Sequence, residues 1–192
     1  MESKDKASES VACRVLLLPG WLDSGPTHWQ SRWEAAHGHR RVTQSDWLWP
    51  KRGDWMARLE EVLLESATPA VLVAHSLGCH LVAAWAAHSK QTERVRGALL
   101  VAVPDIERDD MPPNLHPWRP ILRQRLPFPA VAVVSQDDPY SAPERSAALA
   151  AEWGAVVVDA GKVGHLNGDS GLGDWPDGQR LLQRLAGASP LH

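Results

Sequence analysis

The chain has 192 residues, of which 44% are hydrophobic and 22% charged, and its formal net charge is -3. These values fit one compact domain with a substantial core, and the net charge excludes the basic surplus typical of nucleic-acid binding. The apolar run from Val15 to Leu18 is far too short to span a membrane. The two cysteines, Cys13 and Cys79, match neither a metal-ligand spacing nor a disulfide framework, so we expect a cytoplasmic protein with reduced thiols.

Apolar runs of strand length alternate with helical patterns along the chain. The polar residues 1–12 are expected to be frayed, and residues 13–192 to form a single domain. Strands are predicted at 13–18, 41–44, 70–74, 98–103, 130–135 and 155–159. Helices are predicted at 28–37, 54–66 with Asp54 as the cap, 77–89, 143–153 and 178–186. This alternation predicts an α/β fold, a three-layer sandwich of about six mostly parallel strands with helices on both faces.

A long irregular segment interrupts this alternation between residues 104 and 129, and it is rich in proline. Loops of this length in a small domain are usually functional or mobile. The segment leaves the carboxyl end of a predicted strand, where open α/β sheets place their ligands. We therefore expect it to form a small cap over a site at that edge.

The stretch from Ala70 to Cys79 carries the clearest chemical signal. An apolar run ends at His75-Ser76-Leu77-Gly78, and a helical pattern follows. This is the sequence form of a nucleophile elbow, a strained strand-to-helix turn that exposes one serine hydroxyl. The pattern predicts Ser76 as a nucleophile, with Ala74 and Gly78 small enough to let strand and helix pass closely.

A serine nucleophile needs a base and an acid group that orients the base, and in this fold they follow in the chain order Ser, Asp or Glu, His. Asp137 and Asp138 follow the predicted strand at 130–135, and His165 follows the last predicted strand. His165 is the expected base. Asp138 is favoured as its partner, with Asp137 as the alternative, since acidic residues also occupy turns for structural reasons.

Further residues are expected to bind the substrate around Ser76. The backbone N–H groups of Leu77 and Trp21 are candidates for the oxyanion hole. Trp21, His75, Trp47 and Trp118 are candidates for an apolar acyl pocket, with packing as the alternative for each tryptophan. His28, His80, His88 and His116 are interpreted as surface or packing residues. The sequence contains no phosphate-binding or metal-binding motif, so we expect no cofactor and no metal.

The chain resembles the small serine hydrolase family that includes retinoblastoma-binding protein 9 and many bacterial proteins. The resemblance runs from about residue 14 to 185. Its carriers are Leu18-Pro19-Gly20-Trp21, Ser24 to Gln30, Ala74 to Gly78, Ser135 to Tyr140, and Gly164 to Asn167 with Ser170 to Pro176. The block ending in Trp175-Pro176 is typical of the bacterial branch. The resemblance implies a compact α/β-hydrolase fold, the triad Ser76, Asp138 and His165, and acyl-hydrolase activity without a cofactor.

Two departures from that family matter. Ala74 stands where many hydrolases have glycine, which is a small change. The name of the mammalian relative refers to the binding of pocket proteins, which is often tied to an L-x-C-x-E pattern. The nearest match here, Leu77-Gly78-Cys79-His80-Leu81, lacks the glutamate, so that binding role is not expected.

The combined pattern predicts a serine hydrolase that cleaves a small carboxylic ester, or an amide or thioester, with a small acyl compound as its partner and neither nucleic acid nor membrane. One alternative is a binding or regulatory protein of hydrolase fold with a vestigial triad. Another is a different reaction on the same fold, such as perhydrolysis or lyase chemistry.

Overall fold

A computed structural model describes residues 13–187, so the predicted frayed segment 1–12 and residues 188–192 lie outside the described residues. The strands are β1 (Arg14–Leu18), β2 (Arg40–Arg41), β3 (Ala70–His75), β4 (Val95–Val101), β5 (Ala130–Val134) and β6 (Val156–Asp159). The helices are α1 (Trp29–His37), α2 (Arg52–Leu64), α3 (Leu77–His88), α4 (Pro143–Glu152) and α5 (Pro176–Gly187).

The six strands form one parallel sheet in the order β2-β1-β3-β4-β5-β6. The register sets Leu17 beside Val73 in the β1–β3 pair, and Ala74 beside Leu100 in the β3–β4 pair. The crossover helices between parallel strands cover the sheet, as α/β architecture requires.

Alternate strand residues point to two separate apolar cores, one on each face of the sheet. Leu72 and Ala74 face the core packed by α2, α3 and α4, whereas Val71 and Val73 face the core packed by α1 and α5. This alternation follows from the two-residue period of a strand. The predicted three-layer α/β sandwich is confirmed.

Two elements differ from the sequence expectation. Helix α2 begins at Arg52 after Lys51, so Asp54 lies in the first turn and does not cap the helix. A carboxylate in that position still interacts favourably with the helix dipole. Strand β6 is one of the two edge strands of the sheet. Val156 and Val157 are 51% and 42% exposed, although the apolar run predicts a buried strand.

The segment 104–129 splits into two parts with different roles. Met111, Pro112 and Leu115 turn toward the carboxyl edge of the sheet and line a cavity there. The later residues Trp118 and Phe128 are buried in the core on the α2–α4 face. Only the first part therefore lies over the sheet edge as a cap.

Among residues 13–187, no helix is both long and apolar enough to cross a lipid bilayer.

Candidate active site

Ser76 stands at a sharp turn between β3 and α3. Its backbone angles are φ 54° and ψ -122°, in a region that non-glycine residues rarely adopt. The Ser76 N–H donates to the Val101 carbonyl at 2.9 Å, which ties the turn to β4. A β-carbon on Gly78 would lie 2.3 Å from the Leu18 carbonyl oxygen, so α3 can pack this closely against β1 only with glycine at that position.

Three of the predicted site residues form one hydrogen-bonded chain. The Ser76 Oγ donates to His165 Nε2 at 2.9 Å. On the other side of the ring, His165 Nδ1 donates to Asp138, with Oδ1 at 2.9 Å and Oδ2 at 2.8 Å. The side chains of His165 and Asp138 are 9% and 3% exposed. Because these residues follow β3, β5 and β6, the parallel sheet delivers all three to one edge.

The two neighbouring aspartates have different partners. Asp138 contacts the imidazole and also accepts from the Tyr140 N–H at 2.9 Å. Asp137 accepts from the Gly164 N–H at 2.8 Å and from the Ser135 hydroxyl at 2.9 Å. These two hydrogen bonds lower the pKa of Asp137. Asp138 is therefore the carboxylate that contacts the His165 imidazole, whereas Asp137 binds the backbone just before His165.

The loop after β1 passes directly over the serine turn. A β-carbon on Gly20 would lie 2.8 Å from Ser76 Cβ and 3.2 Å from the Leu77 nitrogen. The Leu77 N–H opens α3 and has no carbonyl partner within the helix, as at any helix start. Trp21 follows Gly20, so its backbone lies beside the same serine. Sequence reasoning did not single out Gly20, although its place next to Pro19 at a strand end was the available signal.

A cavity of about 210 Å³ opens at Ser76 and His165. Its apolar wall is formed by Trp21, Leu22, Leu77, Pro104, Met111, Pro112 and Leu115. Drug-sized ligands occupy pockets of roughly 300–1,000 Å³, so this cavity fits a smaller molecule. Trp21 is fixed in the wall because its Nε1 donates to the Leu48 carbonyl at 2.9 Å.

Two of the predicted substrate-binding tryptophans lie elsewhere. Trp118 is 1% exposed, packs edge-to-face on Trp55 and donates its Nε1–H to the Pro50 carbonyl at 2.8 Å. Trp47 also packs edge-to-face on Trp55, at a ring distance of 5.3 Å. Neither lines the cavity at Ser76, so their assignment to the acyl pocket is wrong. Their large rings are used to fill the core instead.

Two further histidines, His75 and His28, lie close to the hydrogen-bonded series of Ser76, His165 and Asp138. His75 lines the cavity as expected, but its ring also contacts the backbone of His165. His28, interpreted from the sequence as a surface or packing residue, lines the same cavity and is 5% exposed. Its position just before α1, at the carboxyl edge of the sheet, was the signal that could have identified it.

Neither a cysteine nucleophile nor a metal site is supported by the described residues 13–187. Burial raises the pKa of the Cys79 thiol, which is fully buried in the core and unsuited to nucleophilic attack. Within residues 13–187, no group of three His, Cys, Asp or Glu side chains is placed to hold a metal ion.

A parallel sheet of this order, with a strained serine after β3 and a His–Asp pair after later strands, defines an α/β-hydrolase fold. The chain belongs to the serine hydrolase family, whose sequence model matches residues 15–184. A search among curated proteins gave no match.

Solved structures give the same fold. A YdeN-like protein from Pectobacterium atrosepticum is 27% identical, with a TM-score of 0.80 over 91% of this chain and 90% of that one. The ydeN gene product of Bacillus subtilis is 20% identical, with a TM-score of 0.68 over 91% and 98%. The carboxylesterase CesB of Bacillus subtilis is 16% identical, with a TM-score of 0.59 over 97% and 86%.

Proposed function

We propose that this serine hydrolase cleaves small carboxylic esters through an acyl-enzyme formed on Ser76, with amides and thioesters as chemically related substrates. The observation that carries the proposal is the continuous chain from Ser76 Oγ through His165 to Asp138, with donor–acceptor distances of 2.8–2.9 Å. A serine hydroxyl is a weak nucleophile unless an adjacent base accepts its proton.

The reaction would proceed in two halves. Ser76 Oγ attacks the acyl carbon while His165 Nε2 takes the hydroxyl proton, and Asp138 stabilises the imidazolium that results. The negative charge on the former carbonyl oxygen is held by the N–H groups of Leu77 and Trp21. The alcohol leaves with the proton from His165. Water then attacks the acyl carbon while His165 takes a proton from it, and His165 returns that proton to Ser76 Oγ as the carboxylic acid leaves.

The cavity supports a small acyl group as the substrate class. Its volume of about 210 Å³ and its apolar wall from Met111 and Leu115 suit a short hydrocarbon chain better than a charged or extended one. The fold is also used by CesB, a carboxylesterase by name. That likeness concerns the fold, and the ester preference is argued here from the cavity.

The test is hydrolysis of p-nitrophenyl esters from acetate to octanoate by the wild type and by Ser76→Ala. Ser89→Ala is a matched control, because Ser89 ends the same helix that Ser76 begins. We expect the Ser76 variant to lose at least ~10³-fold in kcat, since removing the nucleophile of such a triad removes most of the catalysis. The control should keep wild-type turnover.

Two results would contradict the proposal. Turnover retained by Ser76→Ala would reject the nucleophile. A folded wild type that hydrolyses no ester would reject the ester class. Labelling with a fluorophosphonate would then test the binding-protein alternative.

A further inference from the structure

Two buried histidines connect the backbone of His165 to the opposite side of the site. His75 Nε2 lies 2.8 Å from the His165 carbonyl oxygen. A carbonyl oxygen can only accept a hydrogen bond, so Nε2 of His75 carries the proton. Both His75 and His28 are only 5% exposed, so their rings are largely shielded from bulk water.

The other end of this arrangement is fixed by a backbone donor. The Gln30 N–H donates to His28 Nδ1 at 3.1 Å, which leaves the proton of a neutral His28 ring on Nε2. His28 Nε2 faces His75 Nδ1 at 3.4 Å, a long but correctly matched contact. All three hydrogen bonds therefore run in one direction, from Gln30 to His28, to His75 and to the His165 carbonyl.

A second proton on either ring would break this chain. On His28 it would set Nδ1–H against the Gln30 N–H, and on His75 it would set Nδ1–H against the Nε2–H of His28. The titratable and charged groups that act on the pair are His165 and Arg41. Burial, together with these neighbours, lowers the pKa of His28 to about 3 and that of His75 well below its ordinary value.

The series of hydrogen bonds from Gln30 to the His165 carbonyl is anchored on the sheet. The Gln30 side chain is fully buried, and its Nε2 donates to the Leu18 carbonyl at 3.3 Å and the Val73 carbonyl at 3.0 Å. Beside it, Trp29 Nε1 donates to the Leu166 carbonyl at 2.8 Å. Two consecutive carbonyls, those of His165 and Leu166, thus accept hydrogen bonds from side chains on β3 and α1.

We propose that His28 and His75 are positioning residues, a relay of neutral imidazoles that fixes the His165 loop relative to the strand that presents Ser76. The inference rests on the proposed function in that His165 is taken as the base. The loop needs support from its surroundings because Leu166, directly after His165, adopts φ 46°, a backbone conformation that is strained for a non-glycine residue. A misplacement of the base by about 1 Å can cost ~10²-fold in rate.

The neutrality of the relay also serves the proposed chemistry. The rings of His75 and His165 are 4.9 Å apart. A positive charge on His75 would oppose the imidazolium that His165 becomes when it takes the serine proton. The hydrogen-bond directions keep that charge away.

The first test reads the tautomers directly and does not depend on activity. Nitrogen-15 spectra of histidine-labelled protein, assigned with His28→Gln and His75→Gln, should show both rings neutral and protonated at Nε2 from about pH 5 to about pH 8. An Nδ1–H tautomer, or titration of either ring within that range, would overturn the relay.

The second test separates positioning from packing. We expect His75→Leu to lower kcat by about 10²-fold with little change in KM, and His75→Gln to restore most of it, because the glutamine Nε2–H reaches the place of the histidine Nε2–H. His37→Gln, at an exposed histidine ending α1, is the control with wild-type kinetics. Equal kcat for the leucine and glutamine variants would overturn the proposal.

The two tests separate this inference from the proposed function. A wild type with the expected tautomers but no ester turnover would retain the relay and reject the function. Ester turnover by a protein in which these rings are not neutral and protonated at Nε2 would retain the proposed function and reject the relay. If His75→Leu fails to fold, the spectra of the wild type still decide.

Discussion

At the scale of single residues, the site depends on backbone positions that only particular residues allow. Ser76 adopts its strained turn with φ 54°, a conformation that costs about 1–3 kcal/mol for a non-glycine residue. The surrounding contacts hold it there, with Gly78 against the Leu18 carbonyl and Gly20 against Ser76 Cβ. The proposed chemistry therefore depends on Gly20 and Gly78, because a side chain at either position would collide with the backbone or the side chain that holds the serine turn.

Gly20→Ala should damage the site with little effect elsewhere. The new β-carbon would lie 2.8 Å from Ser76 Cβ, so the loop must move and carry the Trp21 N–H away from the oxyanion position. We expect kcat/KM for a p-nitrophenyl ester to fall by about 10²-fold. Gly25→Ala in the same loop meets nothing within 4 Å and is the matched control. Similar activity in the two variants would contradict this role of Gly20.

The adjacent aspartates should respond differently to the same substitution. Asp138→Asn removes the charge that stabilises the His165 imidazolium, and losses of ~10⁴-fold in kcat are known for such a change. Asp137→Asn keeps an amide oxygen for the Gly164 N–H and the Ser135 hydroxyl, so kcat should stay within about 5-fold of wild type. Steady-state kinetics of both variants decide the matter, and comparable losses would reject the division of roles.

The sequence predicts which residue types meet at the sheet edge, but not all of their partners. The chain order of Ser76, Asp138 and His165 was sufficient because parallel strands all end on one side. The sequence favours Asp138 but leaves Asp137 open as the alternative, since both follow β5. His28 was not predicted to line the cavity, although it directly precedes α1 at the carboxyl edge of the sheet, because a histidine at that place can equally be a packing residue.

At the scale of elements, the segment 104–129 shapes the cavity with its first part only. Met111 and Leu115 line the cavity and are almost fully buried. Asn114 donates to the Leu48 carbonyl at 2.8 Å, the same carbonyl that receives the Trp21 Nε1–H. Hydrogen bonds to the Leu48 carbonyl thus join three loops around the cavity.

Shortening the cavity wall should change the acyl-chain preference. In the variant Met111→Ala with Leu115→Ala, we expect the octanoate-to-acetate ratio of kcat/KM to rise by at least ~10-fold, because each apolar group in a pocket discriminates by about 1–3 kcal/mol. Leu126→Ala is the control, since Leu126 is buried in the same segment but does not line the cavity. An unchanged ratio would place the acyl chain elsewhere.

The tryptophans show that the sequence does not reveal which side chains pack between elements and which line the cavity. Trp47, Trp55 and Trp118 form a row of edge-to-face contacts with ring distances of 5.3 Å. An indole that fills a core and one that lines a pocket have the same sequence signature, an isolated tryptophan in a loop. Only Trp21 proved to be in the wall, because the loop after β1 lies over Ser76.

At the scale of the whole molecule, the alternation of strands and helices determines most of what can be predicted. The six strands and the two covered faces were predicted because apolar strands separated by helices have few other arrangements. The order of the strands in the sheet was not predicted, so the position of β6 at an edge was not predicted either. An apolar run such as Val156 to Val158 looks the same in the sequence whether its strand is central or at the edge.

The stability of the fold should depend on pH through three buried histidines. Burial lowers the pKa of His28 to about 3 and of His80 to about 4, and that of His75 well below its ordinary value. Unfolded histidines titrate near ~6.5, so below that pH the unfolded chain binds protons that the folded chain does not. The free energy of unfolding should be at its full value above about pH 7 and fall as the pH drops toward about 4.

Urea denaturation at a series of pH values measures this dependence. Each of the three histidines can add up to ~1.4 kcal/mol per pH unit to the slope within its range. His80→Gln should reduce the slope, because one buried histidine no longer takes up a proton on unfolding. Equal stability at about pH 5 and about pH 7.5 would contradict the neutral burial of these rings.

The central claim is that Ser76 is an activated nucleophile, and covalent labelling with a fluorophosphonate tests it without a choice of substrate. We predict one adduct per chain by intact mass, located on Ser76 by peptide mapping and lost in Ser76→Ala but not in Ser89→Ala. An adduct on another residue, or a folded wild-type protein that takes up no label, would contradict the account and favour a binding protein with an inactive triad.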